Sequence, residues 1–135
     1  MKYFSFQIFI HGSTFHAYLI AIAVVDVDKL RADIEKSNKK FGNFSTISKL
    51  SMMEYLCDQN VRRYFLIKLR EFGSSKGLSG IEQIRNIHLL EEEFTIEAGL
   101  LTPTLKIIRI KLRDKFKDIL DEMYREELNL NSTFN

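Results

Sequence analysis

A chain of 135 residues with 45% apolar residues is long enough for one domain with its own core, so neither a metal nor a disulfide is needed for it to fold. A net charge of +2 is too small for a protein built around a polyanion, and a composition rich in Ile, Leu and Phe excludes disorder throughout. A single cysteine, Cys57, rules out an intrachain disulfide, makes a reducing setting the default, and reads as a small apolar residue in a helix.

The chain opens on "MKYFSFQIFIHG", whose apolar run is interrupted by polar residues and followed by no small-residue cleavage pattern, so no signal peptide is expected. Tyr3 to His11 reads as a strand, with Phe4, Phe6, Ile8 and Ile10 on one face and Phe9 on the other. Gly12, Ser13 and Thr14 signal a turn. Tyr18 to Val25 is a second strand, apolar on both faces, as at the centre of a sheet covered by helices. The short connection suggests an antiparallel hairpin. The run "AYLIAIAVV" falls well short of the roughly 20 residues of a membrane helix, so no spanning segment is expected.

Asp26 is placed to cap a helix from Val27 to about Asn38 carrying Leu30 and Ile34. "KKFGNFST" is a loop, and Ser45 or Thr46 starts a short helix with Leu50, Met53 and Tyr55. Asp58 caps a longer helix in which Val61, Phe65, Leu69 and Phe72 recur every three or four positions. "GSSKGLSG", from Gly73, ends that helix; it resembles a phosphate-binding loop in composition but lacks the Gly-Lys-Ser/Thr ending. Ile84 to Leu90 is a third strand and Phe94 to Ile96 a short fourth. Gly99 opens a loop stiffened by Pro103, the sole proline, and a last helix runs from about Ile110 to Glu127 with a stripe of Leu112, Phe116, Ile119, Leu120 and Met123. Its opposite face holds Arg113, Lys117 and Asp121. The order β-β-α-α-α-β-(β)-α argues for an α/β (α+β) domain with a small mixed sheet flanked by helices, in two layers, over residues 1–127, with a flexible tail over 128–135.

Candidate chemistry is sparse. His11, His16 and His88 lack metal-ligand spacing and read as surface or edge residues, and Glu91, Glu92 and Glu93 read as a solvated turn. Lys106 stands apart, beyond a proline-stiffened loop and before a basic helix, where an ammonium can reach a phosphate or carboxylate; a lysine snorkelling over its apolar neighbours is the plainer reading.

The stretch "FTIEAGLLTPTLKIIRIKLRDKFKDILDEMY" resembles the carboxyl end of long-chain acyl-CoA synthetases, of the AMP-forming adenylating superfamily. The family pattern is close to F-[ST]-x-x-N-G-L-[LM]-T-P-[TS]-x-K-x-[KR]-R, and Phe94, Thr95, Gly99, Leu100, Leu101, Thr102, Pro103, Thr104, Lys106 and Arg109 match it. "QIFIHGSTFHAYLIAIAVVDVDKL" and "GLSGIEQIRNIHLLEEEF" resemble two further segments of the family, so the likeness covers Ser5 to Glu126. The usual Asn is Ala98 here, and a usual basic position is Ile108.

The resemblance implies the small carboxyl-terminal lid of a ligase that joins a fatty acid to coenzyme A with ATP and Mg2+. A carboxylate attacks the ATP α-phosphorus to give acyl-adenylate and pyrophosphate, then the thiol of coenzyme A displaces AMP. Lys106 would contact the carboxylate and α-phosphate of ATP or acyl-adenylate. Gly99, Thr102, Pro103 and Thr104 would support its loop, and Arg109 would orient or make an interdomain ion pair. The ATP loop, adenine motifs and fatty-acid tunnel of the family are not in these residues, so the expected partner is an amino-terminal adenylating domain in cis or trans, and the chain alone is expected to be inactive. The family works on the cytoplasmic side, in places at the endoplasmic reticulum or mitochondrial outer membrane. Two alternatives are a non-catalytic protein-binding or regulatory module descended from that lid, and a nucleic-acid binder using Lys106, Arg109, Lys111, Arg113, Lys115 and Lys117. The second is disfavoured because these residues point to different helix faces without interleaved aromatics.

Overall fold

The computed structural model describes residues 4–36, 51–75 and 83–126. Strand β1 (Phe4–Gly12) runs antiparallel to β2 (Leu19–Val25), and β2 runs parallel to β3 (Ile84–Leu90), giving a sheet of order β1-β2-β3. Phe9 faces Ile22, and Ile22 faces His88. The parallel pair requires a long crossover. That crossover contains α1 (Val27–Lys36), α2 (Met52–Cys57) and α3 (Gln59–Ser75). After β3 come a loop, then α4 (Arg109–Lys115) and α5 (Lys117–Arg125).

Helices cover both faces of the sheet, one layer more than the element order suggested. Alternation along β2 makes this possible. Ala21, Ala23 and Val25 pack with Leu30 and Ile34 of α1, Tyr55 of α2 and Phe65 of α3. Ile20, Ile22 and Val24 pack on the other side with Phe9, Phe94, Leu112, Phe116 and Leu120. Small alanines on the first face leave room for the rings of Tyr55 and Phe65. Both faces of the central strand are thus dry, and Ile20, Ala21, Ile22 and Ala23 are wholly buried.

Local chemistry sets the helix starts. Asp26 accepts the Lys29 N–H at α1. Asp58 Oδ1 accepts from the N–H groups of Asn60 and Val61 at α3, as its position before the apolar period suggested. The helix carrying Met53 and Tyr55 starts at Ser51, later than Ser45 or Thr46. Ser51 and Glu54 form a capping box, the side chain of each accepting a backbone N–H from the other. Residues 37–50, including Ser45, Thr46 and Leu50, lie outside the described residues, as do 76–82 and 127–135. Helix α3 ends at Ser75, within the "GSSKGLSG" stretch read as its stop. Cys57 closes α2 on its exposed side, not as a packed apolar residue.

Two further expectations are corrected. The single last helix is two, broken at Phe116, whose φ of −105° and ψ of 17° leave the helical region. The break does not disrupt the apolar stripe: Leu112, Phe116, Leu120 and Met123 remain buried, with Arg113, Lys117 and Asp121 exposed. Phe94–Ile96 is not a strand. Gln7 of β1 holds this segment instead, its amide donating to the Phe94 carbonyl at 2.9 Å and accepting the Phe94 N–H at 2.8 Å. A primary amide satisfies both backbone groups at once, so no fourth strand is required.

Beside the edge strand β3 lies a buried polar network that sequence reading missed. Arg62 of α3 donates to the Ile87 carbonyl (2.8 Å), to Asn86 Oδ1 (2.7 Å) and to both carboxylate oxygens of Glu126. Asn86, almost fully buried, donates to the Met123 carbonyl at 2.9 Å.

Candidate functional site

The loop between β3 and α4 is built in two turns. In the first, Gly99 takes a left-handed backbone with φ of 76°. The Leu100 N–H reaches the Thr95 carbonyl (3.1 Å) and the Gly99 N–H reaches the Ile96 carbonyl (2.9 Å), the paired bonds of a Schellman closure. Glycine suits the second-last place of that pattern because it alone carries no Cβ penalty at positive φ. Thr95 Oγ1 also accepts the Ala98 N–H, so the turn closes without the asparagine side chain that the family pattern places at this position.

The second turn is a hairpin. Its arms are joined by an isolated bridge between Leu101 and Ile107 and by the bond from the Ile108 N–H to the Leu100 carbonyl. Leu100 and Leu101 are buried against the sheet and anchor it. The tip, Pro103–Thr104–Leu105, is closed by the Leu105 N–H donating to the Thr102 carbonyl at 2.8 Å. Proline at the second place of such a turn has its φ set in advance. Leu105 then adopts φ of 65°, the left-handed residue that a three-residue hairpin loop demands.

Lys106 follows directly, with its side chain exposed to solvent. Thr102 holds both of its backbone polar groups. The Thr102 N–H donates to the Lys106 carbonyl (2.8 Å), and Thr102 Oγ1 accepts the Lys106 N–H (3.1 Å). Thr104 Oγ1 lies 3.1 Å from the same Thr102 hydroxyl. Gly99, Thr102, Pro103, Thr104 and Lys106 are therefore brought together in one loop.

Arg109 turns away from that tip. It donates to the Ile10 carbonyl of β1, and its guanidinium lies 5.0 Å from the centroid of Phe9. It ties the start of α4 to the sheet. Neither Gln7 nor Leu105 was singled out from sequence. An amide in a strand signals little by itself, and a left-handed leucine leaves no sequence signature.

The other candidates lie elsewhere. His16 stacks on Tyr124 with ring centroids 3.9 Å apart, beside the β1–β2 turn. Burial and the nearby charges of Arg113 and Arg109 push the His11 pKa down against an opposing pull from Asp121. His88 lies within β3, and burial followed by Arg62 lowers its pKa, with Glu126 opposing. Among the described residues no group of three His, Cys, Asp or Glu side chains is placed to hold a metal. Glu91, Glu92 and Glu93 are exposed. A cleft of about 680 Å³ opens beside Asp26, Asp28, Glu91 and Glu93, with Lys29 and Arg31 on its wall. Lys106 does not line it, and four carboxylates make it a poor host for a phosphate.

The fold is similar to a part of solved adenylation domains. The chain superposes on the adenylation domain of a carboxylate reductase from Mycobacterium chelonae with a TM-score of 0.62 and 21% identity, covering 90% of this chain and 16% of that one. The corresponding domain from Segniliparus rugosus, solved with AMP and a co-purified carboxylic acid, gives a TM-score of 0.60 at 22% identity over 88% of this chain and 15% of that one.

Sequence narrows the class. The chain is 37% identical over 119 residues to long-chain-fatty-acid–CoA ligase 1 of Cavia porcellus and of Homo sapiens. It is 32% identical over 120 residues to the peroxisomal long chain acyl-CoA synthetase 7 of Arabidopsis thaliana. It is homologous to the C-terminal part of the long-chain acyl-CoA synthetases, AMP-forming ligases. These matches cover 87–89% of this chain, which spans only 16% of those relatives' length. No family model matches the chain.

Proposed function

We propose that the chain acts as the C-terminal lid of an ATP-dependent long-chain fatty-acid–CoA ligase, converting fatty acid, ATP and coenzyme A to acyl-CoA, AMP and pyrophosphate. Lys106 is its catalytic contribution. The observation that carries this reading is the Thr102–Lys106 hairpin, which sets one exposed ammonium beyond a loop anchored by Leu100 and Leu101. An ammonium so held suits the charge that develops between a carboxylate and an α-phosphate, above all where a second domain shuts water out.

The work divides along the chain. Gly99 and Pro103 set the loop's path, Thr102 holds the lysine backbone, and Arg109 fastens α4 to β1. ATP, the fatty acid, coenzyme A and Mg2+ would be bound chiefly by an amino-terminal adenylating domain, with Mg2+ accompanying the ATP phosphates. Without that partner the chain is inactive. Among the described residues no helix is long and apolar enough to cross a membrane. The complete enzyme would work on the cytoplasmic side, at the endoplasmic reticulum or mitochondrial outer membrane.

The test separates the two half-reactions in the complete ligase carrying this chain. Lys106→Ala should lower acyl-adenylate formation by about 100-fold or more, the scale of losing one preorganised electrostatic contact. Thioester formation from preformed acyl-adenylate should change little; equal loss in both steps would overturn the role. The chain alone, given ATP, Mg2+, palmitate and coenzyme A, should make no acyl-CoA.

A further inference from the structure

We propose that Leu105 is a positioning residue: its left-handed backbone, carried by a side chain that disfavours it, restricts the direction in which Lys106 leaves the hairpin. This inference rests on the function proposed for Lys106.

Among the described residues Leu105 is the one non-glycine residue with positive φ, and it immediately precedes Lys106. A left-handed leucine is unfavourable, because its Cβ crowds its own backbone, and such residues persist only where the surroundings hold them. The surroundings here are hydrogen bonds rather than packing, since the Leu105 side chain is 67% exposed. The Leu105 N–H donates to the Thr102 carbonyl, and the N–H and carbonyl of Lys106 are bound by the Thr102 hydroxyl and the Thr102 N–H. Burial does not account for a leucine at this place, and the turn by itself would favour glycine or asparagine.

A glycine would relieve the crowding but would also open the mirror half of conformational space. The peptide joining residues 105 and 106 could then rotate more freely, and the ammonium beyond it would sweep a wider arc. Reaction rates depend steeply on ångström-scale placement, so a looser hinge beside the lysine costs rate even where the fold gains stability. Stability and adenylation therefore move in opposite directions on this substitution.

The test has two arms. In the 135-residue chain, Leu105→Gly should leave the melting temperature unchanged or raise it, while the 15N order parameter of the Lys106 amide falls below that of the parent chain. In the complete ligase carrying this chain, Leu105→Gly should lower kcat for adenylation about five- to tenfold with KM for ATP within about twofold. Leu105→Asn, which tolerates left-handed backbone but keeps a Cβ, should recover most of that loss. An unchanged Lys106 order parameter, or an unchanged kcat, overturns the proposal. So does equal loss in the glycine and asparagine variants, which would assign the effect to the leucine side chain. If Lys106→Ala leaves adenylation intact, the proposed function fails instead, and the order-parameter arm still judges Leu105 alone.

Discussion

Arg62 Nη2 lies 2.5 Å from Glu126 Oε1, joining α3 to the end of α5 beside the edge strand β3. The guanidinium is buried and also satisfies Asn86 and the Ile87 carbonyl, so three elements share one cation. Replacing Arg62 with methionine keeps the apolar stem but leaves a buried amide and carbonyl short of partners. The expected cost is about 2–4 kcal/mol, at the lower end because Glu126 is partly open to water. Chemical denaturation with an unchanged m-value would confirm it. A loss below about 0.5 kcal/mol would show that water replaces the network.

Acid should destabilise the protein in two stages. Burial and the nearby arginines lower the pKa of His88 and His11, so the unfolded chain protonates first. Their contribution is full above the ordinary value of 6.5, falls as pH drops below it, and levels off once the folded-state pKa is passed. Hydrogen bonding from Arg62 lowers the pKa of Glu126 despite partial burial. Its stabilisation is full above the ordinary 4.5 and is lost as pH falls through the lower folded value. Urea midpoints measured from pH 8 to pH 3 should show both limbs. His88→Gln should weaken the first and Glu126→Gln flatten the second.

Gly99→Ala isolates backbone strain from packing. A Cβ at Gly99 meets nothing within 4 Å, yet φ is 76°. The cost is therefore conformational, about 1–2 kcal/mol, or several degrees of melting temperature. Gly99→Asn should lose less, since asparagine visits this region more readily. Equal losses for both variants would point to a steric cause.

Leu112 and Ile110 are two residues apart on α4 and have opposite surroundings. Leu112 is fully buried, whereas Ile110 is 59% exposed. Leu112→Ala should cost about 2–5 kcal/mol. Ile110→Ala should stay within about 0.5 kcal/mol. Comparable losses at both positions would mean that the exposed side of α4 is covered in solution.

Much of this molecule was written in local chemistry. The apolar run of β2 announced a central strand, Asp26 and Asp58 announced helix starts, and the run from Gly99 through Lys106 announced a shared loop. Each depends on neighbours within a few residues, which is what sequence pattern can resolve.

What lay beyond sequence depends on distant partners. Phe94 looks strand-forming, but the amide of Gln7 satisfies its backbone and makes a fourth strand unnecessary. The stripe from Leu112 to Met123 keeps helical spacing through Phe116, so periodicity cannot reveal the break there. Arg62 and Asn86 sit in unrelated segments, and only the folded sheet edge brings them to Glu126. Residue types and short spacings determined the strands, the caps and the lysine-bearing loop, because those choices are settled by backbone propensity and nearby bonds. Tertiary structure alone decided the clamp of Gln7 on Phe94 and the buried arginine network, because each is imposed by groups that the chain must fold to meet.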